Sequence, residues 1–552
     1  MAGLKASQLR RLQNLYRRRI APESLITPPV AHEIAHWSAE TGRRLALIVS
    51  RDGAVDYVVV GDSSGILLPS LDDYRSGPGR LRGLRYVHTQ FGEGGLSRDD
   101  LTDLALLRLD AIAAVGVRED GSAGLVWVAH LTPEGGEGQA AWQQLEPLPV
   151  HDLRLDFDSL ARTLDDEFAR QARARSVSDR ERAVLVSVTS APRAEAEARM
   201  EELAQLADSA GLEVVGRLIQ RARQNVRFLI GRGKLAELNV RAMQGGADLV
   251  VFDQELSPSQ VRAITDVLEL RVIDRTQLIL DIFAQRALSR EGKLQVEMAQ
   301  LKYLLPRLVG KGTAMSRLMG GIGGRGPGEQ KLEVDRRRVR ERIHRLKLDL
   351  DRVKGQRERR RSKRLEGGLP IISLIGYTNA GKSTLLNTLT ASQVHVEDRL
   401  FATLDPTSRR LRFPPGREAI ITDTVGFIRD LPKDLMEAFG ATLEELRDAT
   451  LLLHVIDVSN PAFERHINSV ENILEELNLS LMPTLRVFNK ADAAEAQFVA
   501  DQCRLYSAVA VSALEPETMP RLVAAIEAAL GRLLGPERWE QAIPEPESPT
   551  LH

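Results

Sequence analysis

Apolar residues recur along this chain in short runs that predict strands and at spaced positions that predict helices. Within residues 1–175, a basic amphipathic stretch precedes the runs RRLALIVS, DYVVVG and LVWVAHL, which are separated by glycine-rich turns. From residue 183, the runs AVLVSVTS, EVVGRLIQ, RFLIG, DLVVFD and RVIDR alternate with helical spacing. Strands that alternate with helices favour parallel sheets, so we predict a small α/β domain followed by a second one with a modest parallel sheet.

A heptad-like pattern replaces these strands from about residue 289 to 365. Apolar residues there alternate spacings of four and three on both sides of the loop GGIGGRGPGEQ (320–330); they are Leu294, Met298, Leu301, Leu305 and Leu308, then Val339, Ile343, Leu346, Leu350 and Val353. This spacing places one apolar stripe on each helix. We therefore predict an antiparallel helical hairpin with the glycine loop near its tip.

Strand and helix patterns return between about residues 370 and 534. The runs IISLIG, AIITDT, TLLLHVIDV, TLRVFNK and AVAVSAL predict a doubly wound sheet, and the tail PERWEQAIPEPESPTLH is rich in proline and acid, which predicts disorder. The whole pattern predicts a multidomain α/β protein. Its expected segments are 1–178, 179–288, 289–365, 366–535 and 536–552.

Composition narrows the class of protein without fixing its activity. The 75 basic and 76 acidic residues nearly cancel, a single cysteine, Cys503, excludes an internal disulfide, and the longest apolar runs are too short to cross a bilayer. We expect a cytoplasmic monomer that does not insert into membranes. Charge is concentrated locally, because residues 331–364 carry 16 Lys or Arg against six acidic residues, which favours binding to a polyanion over a solvated helix face.

The stretch GYTNAGKS (376–383) matches the phosphate-binding pattern G-x-x-x-x-G-K-[ST] and stands between an apolar strand and a helix. Backbone N–H groups of such a loop curl around phosphate oxygens. Lys382 would neutralise β- and γ-phosphate charge, and Ser383 would offer its hydroxyl to Mg²⁺. The alternative is a glycine turn with a solvent-exposed lysine. The predicted contact residues are Gly376, Tyr377, Thr378, Asn379, Ala380, Gly381, Lys382, Ser383 and Thr384.

Three further motifs, DTVG, NKAD and SAL, follow in order along the chain. Asp423 is predicted to hold Mg²⁺ through water, and the Gly426 N–H to meet the γ-phosphate. The Asp492 carboxylate is expected to accept hydrogen bonds from guanine N1–H and N2–H₂, which adenine does not present in that arrangement. GTP is therefore the predicted nucleotide. The residues assigned to the base region are Asn489, Lys490, Asp492, Ser512, Ala513 and Leu514, with SAL supplying N–H groups near guanine O6.

Two positions bear on hydrolysis. Thr403, in FATLDPT, is the predicted switch threonine that binds Mg²⁺ and senses the γ-phosphate, so the catalytic set is Lys382, Thr403 and Gly426. Phe427 stands where Ras-like proteins have a glutamine, and it cannot hydrogen-bond the attacking water. We expect slow intrinsic hydrolysis that a partner accelerates. The alternative is that another side chain, or a retracted Phe427, suffices without a partner.

These motifs, together with RTQLILDIFAQRALSREGKLQVEMAQLKYLLPRL and GGIGGRGPGEQKLEVDRRR, resemble the HflX family of translational GTPases over about residues 183–535. The resemblance implies binding to the large ribosomal subunit and GTP-dependent splitting of stalled or stressed ribosomes. It also implies that the hairpin inserts its glycine loop near the peptidyl-transferase centre. Ribosomal RNA contacts are predicted for Arg325, Arg336, Arg337 and Arg338.

Two features outside the GTPase motifs give further hypotheses. GRGK at 231–234 resembles a glycine feature of the same family, so Gly231, Gly233 and Lys234 are candidates for an ATP or RNA site, against a plain strand-to-helix turn. His88, Ser97 and Asp100 resemble the zinc pattern of JAB-type metalloproteases. Gln90 replaces the second histidine, and we therefore expect a metal-free domain for docking or regulation.

Three hypotheses follow for the whole protein. The first is a GTP-hydrolysing factor that splits ribosomes, and the second is a ribosome assembly or RNA-binding factor that uses GTP as a switch without splitting. The third makes the second α/β domain an ATP-dependent RNA-remodelling unit. Sedimentation of ribosomes separates the first two, and Lys234→Ala tests the third.

Overall fold

The computed structural model describes most of the chain. It covers residues 4–62, 65–66, 68–69, 71, 74, 80–92, 94–133, 141–174, 180–221, 227–308, 336–353, 369–390, 400–401, 407–414, 416–424, 426–429, 436, 444–535 and 539. The described residues form two compact units, one ending at Arg275 and one beginning at Thr276.

The first unit opens with a mostly antiparallel sheet in the order β2-β1-β3-β4-β5-β6, with β7 beside β5 and β3 parallel to β4. Its strands are β1 Leu45–Ser50, β2 Val55–Val60, β3 Leu84–Phe91, β4 Ala111–Val117, β5 Ala123–Leu131, β6 Trp142–Gln144 and β7 Leu148–Pro149. Its helices are α1 Ala6–Leu15, α2 Pro28–Thr41, α3 Arg98–Leu106 and α4 Phe157–Ala174. Both faces of β1 are buried, because Leu45 and Leu47 join one core and Ala46 and Ile48 join the other.

A second, fully parallel sheet completes the first unit, in the order β11-β10-β8-β9. Its elements are β8 Arg182–Thr189, α5 Arg193–Ser209, β9 Glu213–Arg221, α6 Arg232–Gly245, β10 Leu249–Phe252, α7 Pro258–Leu268 and β11 Arg271–Asp274. Strand β8 is buried along its whole length, as expected for a central strand covered on both faces. Ser257 caps the start of α7 by accepting a hydrogen bond from the Gln260 N–H.

Helix α6 contributes residues to the cores of both sheets of this unit. Ala236, Val240 and Met243 pack with residues of α3 and α4. The Asn239 side chain, which is fully buried, donates to the carbonyl of Ala105 (2.7 Å), and Arg108 donates to Asn239 Oδ1 (3.2 Å). The first sheet is therefore held to the second by buried apolar and polar contacts.

The strand predicted at RFLIG (227–231) is wrong. Residues 227 and 228 form a turn, and Leu229 is a single bridge residue with a left-handed φ of 61°, which prevents a continuous strand. Leu229 and Ile230 are buried, and Gly231 then begins α6 as its N-cap. The apolar run therefore reflects burial of a turn and not strand formation.

The second unit begins with three helices, α8 Arg275–Arg286, α9 Arg290–Leu304 and α10, residues 336–353. Leu346 and Leu350 of the predicted α10 stripe are buried. On α9, however, the buried apolar residues are Val296, Ala299 and Tyr303, so the predicted stripe of Leu294 and Met298 is displaced around the helix. Arg342 of α10 makes a bidentate pair with Glu297 of α9 (2.7 and 2.9 Å). The glycine loop at 320–330 lies outside the described residues.

The rest of this unit is a six-stranded sheet in the order β13-β14-β12-β15-β16-β17. Its elements are β12 Ile371–Ile375, α11 Lys382–Thr390, β13 Thr407–Phe413, β14 Arg417–Asp423, β15 Leu451–Asp457, α12 Phe463–Glu476, β16 Thr484–Asn489, α13 Ala496–Tyr506, β17 Val509–Ala510 and α14 Met519–Leu534. Every pairing except β13 with β14 is parallel. Val455 faces the core shared with α11 and α14, and Ile456 faces α12 and α13, so helices cover both faces.

This sheet confirms the predicted doubly wound α/β class. Strand order reverses at β12, which lies between β14 and β15, and ligands bind at the carboxyl ends of strands at such a reversal. No helix among the described residues is long and apolar enough to span a membrane. The tail at 540–552 lies outside the described residues.

Candidate nucleotide-binding site

The loop between β12 and α11 is shaped by two glycines that accept no side chain. Gly376 has φ of 150°, and a Cβ there would collide with the carbonyl oxygen of Val455 on β15. Gly381 has φ of 87°, and a Cβ there would collide with the amide of Asn489. Both positions therefore require glycine for backbone conformation and for space. The loop leads into the N-terminus of α11, and the N–H groups of a helix's first turn favour an anion.

Lys382 is buried beneath this loop. Its Nζ donates to the carbonyls of Gly376 (3.1 Å) and Tyr377 (2.8 Å). Burial lowers the pKa of Lys382 to about 8, and the negative charge of Asp423 opposes that shift. A phosphate group beside the ammonium would raise the pKa of Lys382 again, because an anion stabilises the charged form. The lysine is thus not the solvent-exposed side chain of the alternative interpretation.

Ser383 and Asp423 meet at the start of α11. The Ser383 hydroxyl donates to Asp423 Oδ2 at 2.6 Å, although the two residues are 40 positions apart. Both supply oxygen atoms, which are the ligands that Mg²⁺ prefers. The donor set therefore fits magnesium, with Asp423 buried at the end of β14 and Ser383 at the end of the phosphate loop.

Asn489 joins the phosphate loop to the base-recognition motifs. Its amide Nδ2 donates to the carbonyl of Ala380 (2.8 Å), and its Oδ1 accepts from the N–H of Ala513 (2.9 Å). Lys490, with φ of 59°, turns the chain out of β16 and pairs with Asp457 (2.8 Å). Asn489, the first residue of NKAD, therefore holds the phosphate loop and the SAL motif together through its side chain.

The remaining residues predicted to contact the base lie around Asn489. Asp492 follows β16 with its side chain exposed, so its carboxylate is accessible to a ligand. Ser512 is buried, and its Oγ accepts from the Leu514 N–H (3.3 Å). Leu514 itself is 77% exposed. The structure thus brings the NKAD and SAL motifs together beside the phosphate loop.

The segment after Asp423 lies against the phosphate loop through its backbone. The Thr378 N–H donates to the Phe427 carbonyl (2.7 Å), and the Phe427 N–H donates to the Gly376 carbonyl (3.1 Å). The Phe427 side chain is 2% exposed. Phe427 is therefore retracted into the protein, as one of the sequence alternatives requires.

One contact in this region was missed in the sequence. The Tyr377 ring stacks on the His466 imidazole of α12, with ring centroids 3.9 Å apart and planes 7° apart. The Tyr377 hydroxyl accepts a hydrogen bond from the Arg429 N–H (2.9 Å). His466 belongs to an amphipathic helix about 90 residues beyond the loop, and no spacing in the sequence relates the two.

The GRGK turn lies at the start of α6. The Gly231 N–H donates to Gln220 Oε1 (3.0 Å), and Lys234 pairs with Glu237 at 2.5 Å within the same helix. Arg232 pairs with Asp103 of α3 (2.8 Å). Lys234 is thus already paired with a carboxylate, and ATP binding at this turn stays a prediction.

The JAB-like residues meet at the start of α3. His88 Nε2 lies 3.3 Å from Asp100 Oδ1, and burial lowers the pKa of His88. Ser97 and Asp100 cap α3 reciprocally, and Gln90 Nε2 donates to the Gly94 carbonyl. No cluster of three or more His, Cys, Asp or Glu that suits a metal occurs in the described parts of the chain.

Several predicted residues are on α10 or outside the described ranges. Arg337 and Arg338 are exposed on α10 beside the half-buried Arg336, and Arg337 lies 3.7 Å from Glu341. Thr403 and Arg325 lie outside the described residues.

Three family models match consecutive parts of the chain. They are the GTP-binding GTPase N-terminal region over residues 197–284, the GTP-binding GTPase middle region over 286–364, and the 50S ribosome-binding GTPase over 371–490. The matched regions begin at residue 197, after the first sheet.

Curated relatives are similar over most of their length. GTPase HflX of Caldanaerobacter subterraneus subsp. tengcongensis is 50% identical over 353 residues, which are 64% of this chain and 81% of the relative. GTPase HflX of Escherichia coli is 50% identical over 297 residues, 54% of this chain and 70% of the relative. A solved GTP-binding protein from Sulfolobus solfataricus in complex with GDP is 24% identical over a match that covers 64% of this chain and 99% of that protein, with a TM-score of 0.36.

Proposed function

The chain belongs to the HflX family of GTPases and carries an additional N-terminal domain, and we propose that it uses GTP to bind the large ribosomal subunit and to split stalled or stressed ribosomes. The enzyme hydrolyses GTP to GDP and phosphate. Ribosome binding is supported chiefly by the match of residues 371–490 to the 50S ribosome-binding GTPase model.

The phosphate loop would bind the nucleotide through charge and backbone donors. Lys382 supplies a buried positive charge, and the start of α11 supplies N–H groups to the β- and γ-phosphates. The Gly426 N–H would donate to the γ-phosphate, where negative charge has to be stabilised during transfer to water. Asp492 would read guanine, with Asn489 holding the loops around it.

Magnesium fits the oxygen donors at the start of α11. We assign Ser383 and Asp423 to it, with Thr403 as a third predicted ligand. Bound Mg²⁺ supplies a positive charge that offsets the charge of the phosphates.

Contact with ribosomal RNA would come from the helical segment and its glycine loop. Exposed arginines of α10, including Arg337 and Arg338, suit phosphate contacts whose strength falls with salt. Backbone with few side chains, as at 320–330, suits a narrow RNA cavity. The arginine contacts and the insertion of the glycine loop are separate proposals. Arginine contacts depend on positive charge, whereas loop insertion depends on small side chains.

Sucrose-gradient sedimentation of intact ribosomes tests splitting. The protein with GTP or a non-hydrolysable analogue should convert ribosomes to subunits, whereas the protein with GDP should not. Nucleotide-dependent association without subunits would favour the assembly-factor alternative and overturn splitting. Deletion of residues 320–328 should abolish splitting and leave intrinsic GTP hydrolysis near normal.

The arginines are tested by the salt dependence of ribosome binding. The double variant Arg337→Glu and Arg338→Glu should weaken binding and reduce the slope of log affinity against log salt by about one per lost contact. Arg504→Glu, at a 75% exposed position on α13, is the control. An unchanged slope in the double variant would remove these residues from the interface.

A further inference from the structure

The phosphate-loop tyrosine links the loop to two other parts of the sheet's edge. Its ring is fixed by stacking on His466 of α12, and its hydroxyl accepts from the Arg429 N–H. Tyr377 is 7% exposed, so these contacts are shielded from water. A single side chain thus connects the loop, helix α12 and the segment after Gly426.

The same segment is attached to the loop by backbone hydrogen bonds. Phe427 accepts from the Thr378 N–H and donates to the Gly376 carbonyl, which makes a parallel bridge between Tyr377 and Phe427. The Arg429 bond to Tyr377 continues this attachment by two residues. We call residues 426–429 in this position the latched segment.

The latched segment lies where a γ-phosphate would have to bind. A Cβ built on Gly426 would be 3.1 Å from Lys382 Nζ, so the Gly426 backbone lies against the ammonium group. The Thr378 N–H, a donor of the phosphate loop, is used by the Phe427 carbonyl. A γ-phosphate next to Lys382 would therefore require the latched segment to move. The α- and β-phosphates would bind along the loop and the start of α11, and they would leave the segment in place.

We propose that Tyr377 is a positioning residue that sets the preference of the site for GDP over GTP by holding the latched segment against the phosphate loop. GTP has to displace the segment, and GDP does not. A contact made only in the latched arrangement lowers GTP affinity and leaves GDP affinity unchanged. The inference rests on the proposed placement of the γ-phosphate between Lys382 and Gly426.

Tyr377→Phe tests the proposal because it removes the hydroxyl and keeps the ring on His466. Affinities for GDP and for a non-hydrolysable GTP analogue are measured by calorimetry with Mg²⁺. The ratio of the two affinities should move toward the GTP analogue by about three- to tenfold, the range of one hydrogen bond. Tyr506→Phe is the control, because it removes a hydroxyl that donates to Glu464 of α12, and it should leave the affinity ratio unchanged.

His466→Ala provides a second variant that leaves every atom of the phosphate loop in place. It should shift the ratio in the same direction, and the double variant should shift it by less than the product of the single effects, since both act through one ring. If Tyr377→Phe loses both nucleotides, His466→Ala alone decides.

The outcomes separate the inference from the proposed function. In either variant that still binds nucleotide, an unchanged affinity ratio or a selective loss of the GTP analogue would overturn the role of Tyr377. Absence of guanine-nucleotide binding by the unaltered protein would instead overturn the proposed site.

Discussion

Single residues divide the nucleotide site into parts that hold the protein together and parts left for the ligand. The Asn489 amide donates to the Ala380 carbonyl and accepts from the Ala513 N–H, and Lys490 pairs with Asp457. Asp492, by contrast, is exposed beside them. We therefore propose that the Asp492 carboxylate selects the base.

Replacing that carboxylate should change the base that is recognised. Asp492→Asn loses a charged acceptor for two guanine donors, and hydrogen bonds to charged groups contribute about 1.5–3 kcal/mol each, so GTP affinity should fall about 100-fold or more. The new amide N–H₂ can donate to the 2-carbonyl of xanthine, so xanthosine triphosphate should bind better than to the unaltered protein. Competition binding measures both, with Asp501→Asn, exposed on α13, as the control. An unchanged preference for guanine would contradict the assignment.

Lys382 gives the site a pH dependence. Its pKa of about 8 in the described structure should rise when phosphates bind, because an anion favours the ammonium form. Above about pH 8 the free protein loses this proton and binding restores it, so affinity should fall with rising pH by up to tenfold per unit. Calorimetry at about pH 8.5 in buffers of different ionisation enthalpy should detect uptake of most of one proton. No uptake there would show that Lys382 does not meet the phosphates.

At the scale of elements, apolar pattern predicted strands well where both faces are covered and failed where burial has another cause. β8 is predicted correctly because a continuous apolar run suits a central parallel strand. RFLIG also contains a short apolar run, but the left-handed φ of Leu229 prevents a continuous strand there. Periodicity also could not set the phase of α9, because its buried face depends on neighbouring helices.

The phosphate loop was predictable for a different reason. Any side chain at Gly376 or Gly381 would collide with Val455 or Asn489, so both positions require glycine. Such steric requirements are visible in the sequence as two glycines at a set spacing. The stacking of His466 on Tyr377 has no such local signature. It depends on the pairing of β12 with β15, the strand that precedes α12.

Helix α10 carries an internal test of the heptad interpretation. Leu346 is fully buried, whereas Leu348, two residues later, is 47% exposed. Leu346→Ala should lower the free energy of opening by about 2–5 kcal/mol, measured by hydrogen exchange of residues 336–353. Leu348→Ala is the matched control and should change it little. Equal effects would show that the stripe is not a packing surface.

At the scale of the whole molecule, the additional N-terminal domain is part of the first compact unit. Arg108 is 3% exposed in side chain, donates to Asn239, and lies 3.7 Å from Glu269, which also pairs with Arg82 (3.0 Å). Buried charges of this kind are costly to leave without their partner. The two sheets of the unit should therefore unfold together.

Arg108→Ala tests this coupling. Loss of the buried cation should destabilise the first unit by about 3 kcal/mol or more. Hydrogen exchange should then rise both in β4 and β5 and in β10 and β11, while the exposed control Arg118→Ala leaves both unchanged. Faster exchange confined to one sheet would contradict a shared unit.

We propose that the γ-phosphate of GTP controls binding to the large ribosomal subunit. The most direct measurement is the affinity of the full chain for purified large subunits, with a non-hydrolysable GTP analogue, with GDP and with an ATP analogue. We predict binding at least about tenfold tighter with the GTP analogue than with GDP, equivalent to about 1.4 kcal/mol, and no effect of the ATP analogue. Equal affinity in all three conditions would show that the γ-phosphate does not control binding to the large subunit.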